Sequence, residues 1–442
     1  MRDGLLGRTS VDVDVAVEHG ALALARRAGA LLDGAVVVLD AERGAARVIT
    51  RDHRIDITDL RAPTVATDLA RRDYTVNALA VPLRQLSRDG RVRVIDPTGG
   101  LGDLRARRLR LTGNAALADD PLRGLRGVRL ETTLGFTLTG PTRRAIHARA
   151  GDLARVSAER IREELLAILA TAGSVRAFRR MDALGLLAVV MPEVEPMRVT
   201  SQPAPHRFPV LEHSLRALAG ADRLLERLPV LAPFGDDLGA HMHEQLGGGV
   251  DRRQTLKVAA LLHDVAKPET RQVIRGRVRF FEHDVIGARR VRAIGERLRL
   301  PNRATEVVER LVRHHLRPMH LARAGMVTAR ARYRFFRDLG DEVRDLLLLA
   351  LVDGAAVTGV SPLSVWRRAV VVRHLLGSRS EALEAETATP LLRGEDVMGH
   401  FGIGPGPAVG RLLARAREAQ ALGKVGTRED ALAFLDSPDD RL

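Results

Sequence analysis

The stretch Val11 to Val17, VDVDVAV, alternates valine with Asp12 and Asp14. Alternation at period two places the valines on one face of a β-strand and both carboxylates on the other. The segment therefore belongs to a sheet with one apolar face. Its opposite face carries two like charges that repel unless a cation lies between them, and hard oxygen ligands of this kind suit Mg²⁺. RIDIT, from Arg54, repeats the alternation and offers Asp56 as a third carboxylate from a neighbouring strand. AVVVLD and ARVIT read as further strands, Ala21–Leu32 and Asp68–Leu79 as helices, and VRVIDP as a last strand running into a Pro-Gly turn.

Beyond Asn114 the pattern is helical. Asp119-Asp120-Pro121 makes a helix start with proline in the first turn. TSQPAPHRFP reads as a linker, Leu211–Leu376 as a second helical block with a loop-like insert, PFGDDLGAHMHEQLGGGVD, and SRSEALEAETATP as a second linker. The expected architecture is α+β. A small mixed-sheet head spans 1–113, a helical neck 114–199, a second helical domain 210–377 and a helical tail 388–442. At 442 residues the chain exceeds what one core supports. It has no cysteine, which excludes disulfides and leaves histidine and carboxylate as metal ligands. Neither an apolar signal core nor a run of transmembrane length is present, so a cytoplasmic location is expected. The net charge of +15 favours an anionic partner such as nucleic acid. Aromatics are few, so arginine contacts to phosphate explain such binding better than base stacking. Lysine occurs only at Lys257, Lys267 and Lys424, a skew that also fits GC-rich coding.

Three clusters carry chemistry. In Arg71 to Ala78, RRDYTVNA, Asp73 and Asn77 share one helix face at a spacing of four. Asp120 and Arg123 are three apart, so their side chains are expected to be neighbours. An acceptor beside a fork of donors reads the edge of a base; the plainer reading is a helix-start ion pair. Arg126 and Arg129 continue the basic face. In the second block His213, the adjacent His263-Asp264 and Asp353 are expected to hold a divalent transition metal such as Mn²⁺, Ni²⁺, Fe²⁺ or Zn²⁺. His283, His314 and His315 are candidates for a second metal or for phosphate.

In order, RDGLLGRTSVDVDVAV, DLARRDYTVNALA, IDPTGGLGDL, DDPLRGLRGVRLETTLGF and SAERIREELLAIL resemble the motifs of the class II tRNA nucleotidyltransferase and poly(A) polymerase family, the bacterial CCA-adding type. The histidines and aspartates of the second block are similar in order to the HD phosphohydrolase superfamily. The resemblance implies a polymerase-β-like head with Asp12 and Asp14 as metal ligands and Asp56 as a looser third. It implies nucleotide contacts from Arg2, Asp3, Arg72, Asp73 and Asn77, and from Asp120, Arg123, Arg126 and Arg129. Asp119 stands where the family's base-reading motif has glutamate. ATP and CTP are the implied substrates and tRNA the implied partner, with Mg²⁺ at the head and a transition metal at the HD site. Poly(A) addition uses the same motifs and stands as an alternative, as does an inactive transferase retained as an HD phosphohydrolase or RNA-binding protein. Two departures bear on this. Family members carry a strand and a Gly-Gly loop before Val-Arg-Asp, whereas here Met1-Arg2-Asp3 stands at that point. Met1 is therefore expected to be an internal valine encoded by GTG. Only Ala62 to Thr67 separate Asp59-Leu60-Arg61 from Asp68, where typical CCA-adding relatives have a longer flexible segment; relatives so shortened can be CC-adding only, so the resemblance leaves CCA and CC addition both open.

Overall fold

Four strands, β1 (Asp12–Val17), β2 (Ala35–Asp40), β3 (Ala45–Ile49) and β4 (Arg54–Asp59), form one mixed sheet in the order β1-β4-β3-β2. The computed structural model describes residues 1–86, 93–380 and 388–437. β1 runs parallel to β4 with Asp14 opposite Asp56, while the other pairings are antiparallel. Helix α1 (Ala21–Leu31) lays Ala21 and Ala25 against Ala46, Val48 and Ile57, and Val15 and Val17 pack at the margin of that core. The period-two pattern thus puts the valine face on α1 and the carboxylate face outward. β1 is an edge strand, and Val13 stays 41% exposed.

The helix expected over Asp68–Leu79 is broken. α2 (Val65–Ala70) ends at Arg71, Tyr74 is extended and bridges Leu111, and a single 3₁₀ turn follows at Thr75–Asn77. The cause is tertiary. Tyr74 is fully buried and its hydroxyl donates to the carbonyl of Arg123 at 2.8 Å. That carbonyl lies in α3 (Leu122–Leu134), where Gly127 makes room: a Cβ there would lie 1.9 Å from the tyrosine oxygen. α3 packs against α4 (Ala158–Leu169). It begins at Leu122, with Pro121 as its N-cap and Asp120 extended before it, about one residue later than the sequence implies.

Two further expectations change in the second block. The presumed loop insert holds a helix, Gly235–Met242, because His241 is buried and its Nε2 lies 2.6 Å from Asp345. Arg271–Ile274 and Arg277–Phe280 form an antiparallel hairpin, closed by Arg275 and Gly276 with φ of 50° and 73°, the left-handed pair that a two-residue hairpin turn requires. Of VRVIDP, the part from Arg93 on is described, and Ile95 bridges Ala80. Residues 381–387 of the second linker lie outside the described residues.

The chain divides into two compact units, residues 1–171 with 176–192, and residues 172–175 with 193–442. Within the second, the tail forms its own core from Leu392, Val397, Val409, Ala431 and Leu435. Among the described residues no single helix is long and apolar enough to cross a membrane.

Candidate functional site

The carboxylate face of the sheet opens onto a cavity of about 830 Å³ in the first unit, bounded by Asp12, Asp14 and Asp56 on the strands and by Asp120 and Arg123 at the start of α3. Asp56 is gripped by Arg47 through two bonds of 2.6 and 2.8 Å, and Asp12 meets Arg54 at 2.9 Å. Asp14 has no hydrogen-bond or ion-pair partner among the described residues. Three carboxylates on one face, two of them already attracting guanidinium groups, are a donor set that fits a hard divalent cation. Arg47 was not anticipated, although its position opposite Asp56 follows once β3 pairs with β4.

A chain of polar contacts crosses the cavity wall. Arg2 holds Asp3 at 2.8 Å and donates to the Asn77 side-chain oxygen Oδ1 at 2.6 Å. The Asn77 amide donates to Asp73 at 3.1 Å, and Arg126 reaches the other Asp73 oxygen at 3.3 Å. Arg126 and Arg129 both end on the buried Glu164, at 3.0 and 2.6 Å. Burial works against the Arg126 charge, but Asp73 and Glu164 outweigh it and hold its pKa above the ordinary value. Asp73 and Asn77 are thus brought together as the sequence implies, but by a turn and not by a helix face. Arg126 and Arg129 are anchored to α4 rather than free. Arg72 lies at the cavity rim, 3.6 Å from Asp68.

Asp120 and Arg123 are not each other's partners. Arg123 gives three hydrogen bonds to main-chain carbonyls, those of Arg71, Arg72 and Ala116, at 2.9 to 3.2 Å. Asp120 caps the Leu122 N–H with one oxygen and meets Arg160 with the other at 2.7 Å. Arg160 and Glu164 escaped the sequence reading. The signal was there: in SAERIREELLAIL they are four apart and share one face of α4.

The second unit carries a buried histidine–aspartate centre. Its walls are α5 (Val210–Leu225), α6 (Arg252–Leu262), α7 (His283–Arg297), α8 (Asn302–His314) and α9 (Val343–Thr358). His213, His263 and Asp353 form one group of converging ligand atoms, and Asp264, His283 and His315 a second. Asp264 links them: Oδ2 lies 3.2 Å from His263 while Oδ1 lies 3.5 and 3.6 Å from His283 and His315. The Nδ1 atoms of His263, His283 and His315 each face a backbone carbonyl, of Ala260, Phe280 and Val312, at 2.7 to 3.0 Å. With the proton held on Nδ1, each Nε2 lone pair is left pointing inward, as metal ligation needs. Burial opposes ionisation of Asp264 and Asp353. The histidines nevertheless hold both well below the usual carboxylate range, helped at Asp264 by Lys267. The donor set fits two divalent transition metals. His283 and His315 therefore join the centre, whereas His314 does not. Burial and Arg317 push the His314 imidazole down to about 4. The linker, read as a spacer, supplies Gln202, which accepts from Lys267 at 2.7 Å, and His206, whose ring packs edge-on to His213.

A carboxylate-lined sheet facing a nucleotide-sized cavity, joined in one chain to a histidine–aspartate centre, defines a nucleotidyltransferase fused to an HD-type domain. Family models agree. The poly A polymerase head domain matches residues 1–110, the probable RNA and SrmB-binding site of polymerase A matches 135–198, and the HD domain matches 210–351. The A-adding tRNA nucleotidyltransferase of Deinococcus radiodurans is 37% identical over 446 residues, covering 98% of this chain and 93% of that protein. The CC-adding tRNA nucleotidyltransferase of Thermus thermophilus is 36% identical, covering 98% and 91%. The chain belongs to the tRNA nucleotidyltransferase family and is an enzyme of that class. In fold it resembles a CCA-adding enzyme solved with ATP, at a TM-score of 0.61 and 21% identity over 100% of this chain and 89% of that one. It also resembles the Thermotoga maritima CCA-adding enzyme complexed with tRNA, at 0.57 and 20% over 98% and 88%.

Proposed function

We propose that the head adds CMP or AMP to the 3′ end of tRNA in the cytoplasm without a nucleic-acid template, drawing on CTP and ATP. The observation that carries this reading is the register of β1 on β4, which sets Asp14 directly against Asp56 with Asp12 two residues along the same face. Asp12, Asp14 and Asp56 would hold Mg²⁺, which when bound activates the attacking hydroxyl and shields the leaving phosphates. The rest falls to the chain itself. Arg2, Arg72 and Asn77 offer donors to ribose and phosphate around the cavity, and the main-chain ties of Arg123 hold the Arg71–Arg72 turn against α3.

The connection from β4 to α2, residues 60–64, supports restriction to one base, CMP or AMP, over addition of both. Addition of two different bases in order requires a segment with slack beside the site. Here the connection is short, Arg61 N–H donates to Asp68 at 3.1 Å, and Thr64 and Thr67 close a capping box. The test is a product ladder on tRNA transcripts ending before CCA, after the first C and after CC, with each NTP alone and in pairs. Incorporation of one base and not the other is expected, either C with no terminal A or a single A on the transcript ending in CC, and ordered addition of both would overturn the restriction. A long A ladder from ATP alone would replace this reading with poly(A) addition, and no incorporation from any NTP would leave the HD centre as the active part.

For the HD centre the reading is a two-metal phosphohydrolase site holding Mn²⁺, Ni²⁺ or Zn²⁺ on His213, His263, Asp353, Asp264, His283 and His315. Elemental analysis together with hydrolysis of a phosphomonoester and a cyclic phosphodiester tests it. Metal-free protein with no hydrolysis under any divalent cation would make the block a scaffold.

A further inference from the structure

Between Asp264 and His283 of the HD centre the chain makes the hairpin of Arg271–Ile274 and Arg277–Phe280. Its first strand follows directly on the helix Lys267–Thr270, and Lys267 holds Asp264 at 2.7 Å. Its second strand ends at Phe280, whose carbonyl faces His283 Nδ1 at 2.8 Å and whose ring centre lies 5.5 Å from the Lys267 ammonium. Both feet of the hairpin therefore stand on the candidate metal ligands. The stretch Arg271 to Phe281, RQVIRGRVRFF, holds four arginines and no carboxylate. Arg271 opposes Phe280 and Val273 opposes Val278, so Arg277 and Arg279 lie on the other face. Val278 and Phe280 are half-buried; Arg275 at the turn, Arg277 and Arg279 are exposed. Among the described residues none of these three arginines has a hydrogen-bond or ion-pair partner. All ten phenylalanines lie among the described residues, and Phe281, at 54%, is the exposed one.

We propose that this hairpin with Phe281 is a docking arm for single-stranded RNA, which makes the substrate of the HD centre a terminal phosphate on a polynucleotide in preference to a free nucleotide. This rests on the reading of the HD centre as a phosphohydrolase. Like charges crowded on one ribbon repel each other, and no carboxylate of the fold relieves them, so a polyanion is the complement this surface lacks. Arg277 and Arg279 lie about 7 Å apart along one strand, a step that lets each meet a different phosphate. A solvent-exposed ring adds a face on which a base stacks, and guanidinium groups beside such a ring hold single strands without reading their sequence. The turn at Arg275 stands about 13 Å from Phe280, with the metal ligands beyond it. A single nucleotide does not bridge that distance, whereas a chain of several does. Hydrolysis at the centre adds water across one phosphorus–oxygen bond and yields inorganic phosphate and a hydroxyl-ended RNA, with no other reactant.

The experiment takes the full chain loaded with Mn²⁺, as wild type, as the triple variant Arg275→Gln, Arg277→Gln, Arg279→Gln, and as Phe281→Ala, with a thermal melt of each. It measures kcat/KM for a short oligoribonucleotide phosphorylated at its 3′ or 5′ end, against the matching nucleoside monophosphate. A readout independent of turnover is photocrosslinking of the same oligomer through its end nucleotide, with the attached peptide identified by mass spectrometry. The wild type should prefer the oligomer and crosslink within the hairpin. The triple variant should lower the oligomer-over-monophosphate ratio by about tenfold or more and reduce the salt slope by about one per arginine. Phe281→Ala should lower the ratio by about tenfold, the scale of one base stacked on a ring. Melting temperatures should stay near wild type, because the altered side chains are exposed. Equal losses on oligomer and monophosphate, or a wild type that prefers the monophosphate, would overturn the arm. So would crosslinks confined to the head, or variants that lose solubility alone, which would make the arginines protection for the hairpin's edges. If the wild type binds metal yet hydrolyses neither substrate, the phosphohydrolase reading fails by itself, and the crosslink decides whether the hairpin docks RNA.

Discussion

The head and the HD centre both gather carboxylates, yet they are built in opposite ways. In the head, Asp12, Asp14 and Asp56 stand on an open strand face, and two of them lean on arginines, Arg54 and Arg47. In the HD centre, five of the six candidate ligands are buried, and three histidines are oriented by carbonyls of their own neighbourhood. An exposed site of this kind is completed by what binds to it, because water solvates its charges in the meantime. A buried site must be complete beforehand, since an unpaired buried charge costs several kcal/mol. Loss of a ligand should therefore strike function alone in the head, and function together with stability in the HD centre.

Four measurements break or sharpen that contrast. The largest effect is expected from Asp14→Ala, which should lower nucleotide incorporation by about a thousandfold or more, since it removes an oxygen ligand from a metal-assisted step. The melting temperature should hold, because Asp14 lies on an exposed edge-strand face. Incorporation at the wild-type rate would remove the head's carboxylates from the chemistry. Next comes Asp264→Asn. It takes one charge from between His263, His283, His315 and Lys267, so metal content should fall and stability should drop by about 3 kcal/mol, while tRNA extension persists. Retention of both metal and stability would make the centre an ordinary polar core.

Gly127→Ala should cost about 2 kcal/mol through the overlap with the Tyr74 hydroxyl, and it should raise the KM for NTP by loosening the turn that carries Asp73 and Asn77. A neutral result in both assays would show that the turn stands without the Tyr74–Arg123 hydrogen bond. The smallest effect belongs to a control far from either site in kind. Glu418 pairs with Arg330 and Arg334. Burial works against its charge, but those arginines hold its carboxyl below the ordinary 4.5. A depressed carboxylate contributes stability that is present above about 4.5 and is lost as pH falls through its folded pKa. Glu418→Gln should cost about 1 kcal/mol at pH 7 and flatten the acid limb of a stability-versus-pH curve. An unchanged acid limb would show that the pair contributes nothing measurable.

How much of this was legible beforehand divides along the same line. Asp12, Asp14 and Asp56 were visible because strand alternation is a local property, and local geometry alone puts them on one face. His213, His263 and Asp353 were visible because the adjacent His-Asp pair at the end of an apolar helix is a rare pattern with flanking partners in order. Local periodicity misled where a distant residue set the backbone. Asp68–Leu79 has no internal reason to stop at Arg71; the stop comes from Tyr74 seeking the Arg123 carbonyl beside Gly127. The helix Gly235–Met242, buried on one face, was hidden among glycines, because its reason lies in Asp345 on α9.

By itself, then, the sequence determined a mixed sheet with a carboxylate face, a helical remainder, a family and the side-chain types that gather at two candidate sites. Those follow from side-chain chemistry and from the fixed periods of strand and helix. Only the tertiary structure decided partnership. Asp120 meets Arg160 and not Arg123, Arg126 and Arg129 converge on Glu164, and Asp264 joins two histidine groups into one centre. Spacing along a chain says which side chains can meet, but each acceptor has few places to fill. Which donor fills them depends on how α3 and α4, or α6 and α7, pack against one another.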